Sequence, residues 1–272
     1  MLFFRSLRSG SSGNLLLLEH HTGGSVSRLL IDCGISSQRA CRQILEEEIG
    51  LSHHFAGLLV THAHSDHINY SSMRVIDRLR IPIYLHTQTL AEIRQRFLNP
   101  YKIPTSVDLS GLSLNTFDQD PFAIGGFKVT PIRVPHAPGV TTHAFVIHQG
   151  KNKVLIASDF NDPDAVCPHI YDCDMIYLEA NYDQDLLLRF YNPASLFHMA
   201  NPASGLLLEH AIINSKKAPR TIVLGHLSDE RNRPELAIDT VNQALDQSGR
   251  LNGIKLHTAP RLAPGELLAI DE

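Results

Sequence analysis

Residues 57 to 67 read Gly57-Leu58-Leu59-Val60-Thr61-His62-Ala63-His64-Ser65-Asp66-His67. An apolar run of strand type ends there in a segment that offers His62, His64, Asp66 and His67 within six positions. Two imidazoles two residues apart at a strand end can reach one cation together. The Asp and His that follow can reach a second cation beside it, the arrangement of a two-metal hydrolase. A solvated His-rich loop is the plainer explanation, and the buried strand that leads into the segment argues against it.

A two-metal site needs more ligands than these, and they are expected at the ends of later strands. His136 follows the run Lys128–Val134 after Pro135, Asp159 follows Val154–Ser158, and His226 follows Thr221–Gly225. His143 is a rival to His136, but it opens the next strand behind a polar Thr pair. The assignment places His62, His64 and His136 on one metal and Asp66, His67 and His226 on the other. Asp159 bridges, because one carboxylate has two oxygens. A water or hydroxide shared by cations about 3.5–4 Å apart would be the nucleophile. Imidazole and carboxylate donors suit two divalent ions of Zn, Mn or Fe, with no thiolate to decide among them.

With 272 residues and a formal net charge of −4, the chain is long enough for one large domain, 1–272, and carries no basic excess. Metal dications in a cleft can still attract phosphates. Cys33, Cys41, Cys167 and Cys173 form no CxxC pair, which fits reduced thiols. The opening Met1–Arg8 predicts no signal peptide, and no window approaches the roughly 20 apolar residues of a membrane span. A soluble, cytoplasmic protein is expected.

The pattern predicts strands at 3–7, 14–19, 27–32, 81–85, 113–117, 122–124, 127–134, 144–148, 153–156, 175–178, 221–224 and 254–257. Helices are predicted at 37–48, 71–79, 87–97, 204–214 and 234–247, a polar connection at 99–111, and polar turns at His20-His21 and His53-His54. Two runs of strands, each with helices, give an α/β fold of two sheets packed face to face with helices outside. The ligands then gather at one edge, on loops leaving strand ends.

On these residues the whole chain resembles the metallo-β-lactamase superfamily, which implies a four-layer αββα sandwich of two β-sheets flanked by helices. It is more closely similar to the WalJ branch, also called YycJ or VicX. The marks are Ser9-Gly10-Ser11-Ser12-Gly13-Asn14, Asp32-Cys33-Gly34, Val134-Pro135-His136, Glu179-Ala180-Asn181-Tyr182-Asp183 and His226-Leu227-Ser228-Asp229-Glu230-Arg231-Asn232-Arg233-Pro234-Glu235. Two departures stand out. Phe197-His198-Met199-Ala200-Asn201 keeps only the His and Asn of the branch motif, behind a shortened segment at 192–196, and Arg231 replaces the first of two paired asparagines.

The resemblance implies a metal-dependent hydrolase that acts on nucleic acid, as a DNA exonuclease-like phosphodiesterase. It gives catalytic roles to Asp66, Glu179 and His198. His198 would protonate the leaving oxygen or bind the phosphate, with a surface His beside the Asn201-Pro202 turn as the alternative. Glu179 and Asn181 would orient His198 or a metal-bound His. Ser11, Ser12, Asn14, Asn181, Arg231 and Asn232 would line the substrate cleft, with Arg231 and Arg233 as phosphate clamps or as solvated residues before a helix. A thioester or lactone hydrolase with the same ligand set is a second reading, and a metal-stabilised, non-catalytic binding protein a third. Strandedness, polarity and oligomeric state are left open.

Overall fold

The computed structural model describes residues 1–48, 55–96, 111–247, 249 and 253–271. Its first strands are β1 (Leu2–Arg8), β2 (Leu15–Thr22), β3 (Ser25–Ile31), β4 (Phe55–Leu59), β5 (Ile83–His86) and β6 (Leu114–Phe117). There follow β7 (Phe122–Ile124), β8 (Phe127–Val134), β9 (Thr142–Gln149), β10 (Asn152–Ala157), β11 (Met175–Glu179), β12 (Thr221–Gly225), β13 (Lys255–Thr258) and the short β14 (Leu268–Ala269). They build two seven-stranded sheets, in the orders β14-β1-β2-β3-β4-β5-β6 and β13-β12-β11-β10-β9-β8-β7.

Each sheet changes character halfway across. Strands β1 to β3 pair antiparallel, then β3, β4, β5 and β6 run parallel. In the second sheet β7 to β10 pair antiparallel, then β10, β11, β12 and β13 run parallel. Parallel strands bring their carboxyl ends to one edge, where a sheet of this kind places its ligands. That edge receives the residues after β3, β4, β10, β11 and β12.

Helices α1 (Gln38–Gln43), α2 (Tyr70–Arg78) and α3 (Thr87–Arg96) accompany the first sheet, and α4 (Gln184–Arg189), α5 (Asn201–Asn214) and α6 (Pro234–Gln247) the second. Three apolar layers hold the stack. Cys41, Leu45, Met73, Ile76, Leu90 and Ile93 bury the first three helices against Leu30, Leu58 and Ile83. Phe4, Leu18, Leu29, Phe127, Phe145, Ile156 and Tyr177 fill the space between the sheets. Leu208, Ala211, Ile212, Val241 and Leu245 cover Leu155, Ile176 and Leu224. Within β10 to β12 successive residues alternate between the last two layers. Both faces are buried, which is why these strands read as unbroken apolar runs. The four layers are αββα, as the sequence implied.

The differences are local. The helix expected over 37–48 is α-helical only at Gln38–Gln43, capped by Ser37, and continues as a π-helical turn, Ile44–Glu48. Helix α2 starts one residue early, because Asn69 and Ser72 exchange side-chain-to-backbone hydrogen bonds in a capping box. Helix α5 begins at Asn201 rather than Ser204: Pro202 sits in its first turn, where a missing N–H is harmless. His20-His21 lies inside β2 rather than in a turn, with His21 3.0 Å from Glu19. Helix α4 and β14 were not foreseen. His53-His54 and residues 99–110 of the connection lie outside the described residues. Among the described residues no helix is long and apolar enough to cross a membrane.

His143, the rejected ligand, lies in β9 with its backbone N–H donating to Thr61 O at 3.1 Å. Its ring stacks on His86 at 4.5 Å and its buried Nδ1 has no hydrogen-bond partner. Burial, followed by the nearby His86 and Arg133, lowers its pKa to about 4. The folded state therefore holds His143 neutral where the unfolded chain would protonate it. The resulting stability is complete above about pH 6.5 and disappears as pH falls toward 4. In metal-free protein, His143→Phe should narrow its stability difference from wild type by on the order of 2 kcal/mol between pH 7.5 and 5. Urea unfolding at both pH values measures this, and a constant difference would contradict it.

Candidate metal centre

Three strand ends deliver side chains from a backbone that most residues avoid. Asp32 after β3, Asp159 after β10 and His226 after β12 have φ of 57°, 59° and 54°. A left-handed residue other than Gly costs roughly 1–3 kcal/mol, and such strain persists only where the surroundings enforce it. Close approach enforces it here. A Cβ at Gly34 would lie 1.7 Å from Asp66 O, so only glycine lets the end of β3 lie against the His-rich loop. A Cβ at Gly225 would meet the Tyr177 ring at 2.1 Å. The Tyr177 hydroxyl lies 2.8 Å from Ser9 Oγ, which accepts from His226 N–H at 2.7 Å.

The seven expected ligands converge. One ring nitrogen each of His62, His64 and His136 falls in a common group whose members lie within 4.8 Å of one another. His62 Nε2 is 2.9 Å and His136 Nε2 3.4 Å from His64 Nδ1. Asp66, His67 and His226 make a second such group. Asp66 Oδ2 is 3.5 Å from Nε2 of both His67 and His226. Asp159 lies between the groups, its Oδ2 3.1 Å from His67 Nε2 and its Oδ1 3.6 Å from His226 Nε2 and 3.8 Å from His136 Nε2.

A layer of hydrogen bonds holds these rings. Asp32 Oδ2 lies 2.7 Å from His67 Nδ1 and also accepts from the Thr61 hydroxyl, while its Oδ1 accepts from Thr61 N–H at 2.8 Å. The Thr61 hydroxyl is 2.9 Å from His62 Nδ1. Thus Asp32 and Thr61 set the rings of both metal groups. Glu179, fully buried, has Oε1 2.6 Å from His198 Nδ1 and 3.2 Å from His226 Nδ1, while Oε2 accepts from Phe160 N–H. Asn181 donates to His226 O at 2.7 Å. Asn14 is buried against the second group, its Nδ2 3.0 Å from His67 Nε2.

Electrostatics separates the two groups. Burial, then neighbouring imidazoles, pushes His62 well below its ordinary value and His64 to about 4, leaving neutral rings that each carry a lone pair. Burial alone would lower His67 and His226 too. Asp159 and its companion carboxylates overcome it, raising His67 well above normal and His226 to about 10. Asp66 and Asp159 are held low by these imidazoles against the opposing effect of burial. His226 Nε2 is buried without a hydrogen-bond partner, facing two carboxylates just beyond bonding distance. A buried concentration of carboxylate charge around an unpartnered imidazole nitrogen fits a divalent cation, and the His/Asp donor set supplies its ligands.

The other expected residues are dispersed. Ser11 and Ser12 are exposed and line a cleft of about 390 Å³ that adjoins Asp66 and Ser65. Asn232 is buried and commits its amide to Asn201 and to Ala180 O, pinning the start of α5. Arg231 Nη1 bonds Glu230, and Arg233 Nη1 donates to Asp229 O and Asn232 O. Asp32, Thr61 and Ser9 were not read as site residues. Asp32 carried one signal, an acid at a strand end before Cys-Gly.

A profile described as Beta-lactamase superfamily domain matches residues 27–226. The chain is 27% identical to the exodeoxyribonuclease YycJ of Bacillus anthracis over 260 residues, 91% of this chain and 90% of that one. Among solved structures it is similar to the metallo-beta-lactamase fold protein YhfI from Bacillus subtilis, with a TM-score of 0.69 and 17% identity over 97% of this chain and 98% of that one. It is also similar to a diphosphatase of the PhnP family, with a TM-score of 0.64 and 16% identity over 98% of each chain.

Asp32→Asn should keep the Thr61 N–H contact but lose the charge that aims His67. Metal affinity should fall roughly 10–100-fold, read by competition with a chelating dye, with thermal unfolding of the metal-free protein changed far less. Unchanged affinity would remove Asp32 from the site.

Proposed function

Because the chain belongs to the family of beta-lactamase superfamily domains, we propose that it is a hydrolase that uses two divalent metal ions to cleave phosphodiester bonds in nucleic acid, DNA foremost. His62, His64 and His136 hold one cation, Asp66, His67 and His226 the other, and Asp159 contacts both. Bound metal supplies Lewis-acid polarisation of the phosphoryl group and an acidified water. Zn, Mn and Fe all suit these donors. The same reading puts the protein in the cytoplasm with its polymer substrate.

One observation carries the choice of bond. His198 sits beside the metal groups, its ring centre 5.0 Å from that of His136 and 5.2 Å from that of His226. Burial opposes its charge, but Glu179 at 2.6 Å and Asp159 at 3.6 Å raise its pKa above the ordinary value. With Nδ1 turned to Glu179, Nε2 is left to carry a proton toward substrate. A sugar alkoxide is a poor leaving group and needs that proton, whereas a thiolate departs without it. His198 therefore favours phosphodiesters over the thioester reading. Glu179 is the positioning residue behind it, and Asn181 steadies His226. The cleft with Ser11 and Ser12 is where an adjoining nucleotide would lie, and Asn14 supports its Asp66 wall. Arg231 would serve as a further phosphate contact by exchanging its bond to Glu230.

The test is cleavage of labelled single- and double-stranded DNA, bis-p-nitrophenyl phosphate and a thioester with each metal. Both phosphodiesters should be cut, and Asp159→Ala should abolish cutting. His198→Ala should lower kcat on DNA by roughly 10²–10⁴-fold, and much less on the p-nitrophenyl ester, whose leaving group needs no proton. Turnover of the thioester alone would overturn the proposal, and no turnover of any substrate would favour a binding protein.

A further inference from the structure

We propose that Phe190 and Tyr191 form a nucleobase-stacking platform on the rim of the metal cleft, which grips the single-stranded end of the substrate. This rests on the nucleic-acid reading above and adds a specificity element to it. From the last turn of α4 to His198 the chain exposes an unusual run of large apolar side chains. Leu188, Phe190, Tyr191 and Leu196 are 81%, 53%, 68% and 55% exposed. Among the described residues neither Phe190 nor Tyr191 stacks on another ring.

The run is tied into the cleft wall at both ends. Asn192 caps a 3₁₀ turn, Pro193–Phe197. Phe197 O lies 3.0 Å from His136 Nδ1, and Leu196 O accepts from Asn161 Nδ2 at 2.9 Å, two residues beyond Asp159. Behind the aromatic pair, Arg231 Nη1 points to Phe190 O at 3.5 Å. Tyr191 and His198 are seven positions apart, at most about 25 Å of extended chain. The 3₁₀ turn shortens that to roughly 17 Å, the reach of a few nucleotides. Arg189, in the last turn of α4, directly precedes Phe190, and Arg231, paired with Glu230, contacts Phe190 O.

That combination suits a nucleic-acid strand: rigid rings for the bases, arginines for the phosphates, and a path to the proton donor. It suits a second copy of the chain poorly. Four partly exposed side chains present on the order of 400 Å², against the roughly 800 Å² per partner of a stable interface. Bases inside a duplex are covered on both faces by stacking, so the platform selects a frayed or single-stranded end.

The experiment compares wild type, Phe190→Ala/Tyr191→Ala, Phe190→Leu/Tyr191→Leu and Phe190→Tyr/Tyr191→Phe. Fluorescence anisotropy of a labelled oligothymidylate with metal-free protein measures binding. Steady-state cleavage of the same oligonucleotide and of bis-p-nitrophenyl phosphate measures turnover, and sedimentation velocity gives the mass. The alanine and leucine pairs should weaken oligonucleotide binding about tenfold per ring and raise KM with kcat retained, leaving the small diester unaffected. The aromatic exchange should behave as wild type. Equal losses on both substrates, full binding by the leucine pair, or a drop from dimer to monomer in the alanine pair would each overturn the platform. Wild type that cuts the small diester but neither binds nor cuts oligonucleotide would instead reject the nucleic-acid reading, and the platform with it.

Discussion

The buried carboxylate of Asp159 is the constraint from which the rest of the site follows. It is 1% exposed and lies within 4 Å of nitrogens from His67, His136, His198 and His226. A charge so placed is tolerated only when opposite charge surrounds it. Its neighbours cannot relax away, because each is held from behind: His67 by Asp32, His198 and His226 by Glu179, His136 by Phe197 O. The left-handed backbone at Asp32, Asp159 and His226 presents their side chains to this same balance. A more relaxed turn at any of them would withdraw a charged group from a balance that needs all of them.

Neither sheet contains the site. His62, His64, Asp66 and His67 follow β4 in the first sheet, while His136, Asp159 and His226 follow β8, β10 and β12 in the second. The ligands meet only when Leu18, Leu29, Phe127, Phe145 and Ile156 have closed the space between the sheets. Metal binding and sheet packing are thereby linked, since a cation bound across the seam favours the state in which the seam is closed. The buried hydrogen bond of Ser9 to Tyr177 and His226 crosses the same boundary from the β1–β2 turn.

The two runs of strands were legible because strands buried on both faces leave continuous apolar runs, and the expected ligands were legible because each stands just beyond the end of a strand. His136 could be preferred to His143 because it leaves a strand, whereas His143 opens the next behind a polar Thr pair; in the structure His136 follows β8 and His143 lies inside β9. What escaped notice depends on contacts across the chain. Asp32 looks like an ordinary turn acid until Thr61 and His67 are brought to it from 29 and 35 residues away. Asn232 looked like a substrate contact, and only the structure shows its amide committed to Asn201 and Ala180. Pro202 read as part of a turn, because a proline gives the same local signal whether it precedes a helix or opens one. Helix α4, Gln184–Arg189, is too short to display a helical period.

The two metal groups are unequal in a way that bears on the chemistry. The first is three imidazoles, of which His62 and His64 are strongly biased toward the neutral form. The second mixes imidazoles with carboxylates, and its rings are drawn toward the charged form. Nitrogen donors alone leave a cation with its full charge, while carboxylates neutralise much of it. In the proposed two-metal site Asp159 would temper that difference, because its carboxylate reaches both groups. His198 lies edge-on to His136 from the first group and parallel to His226 from the second. In the proposed reaction that position would let it serve a departing oxygen between the two groups. Against burial, its charge is favoured by Glu179 and Asp159, so in the proposed reaction the group that donates would be distinct from the groups that bind metal. That division of labour needs Glu179 fully buried and bonded to Phe160 N–H, because a carboxylate open to water would lose much of its hold on the proton.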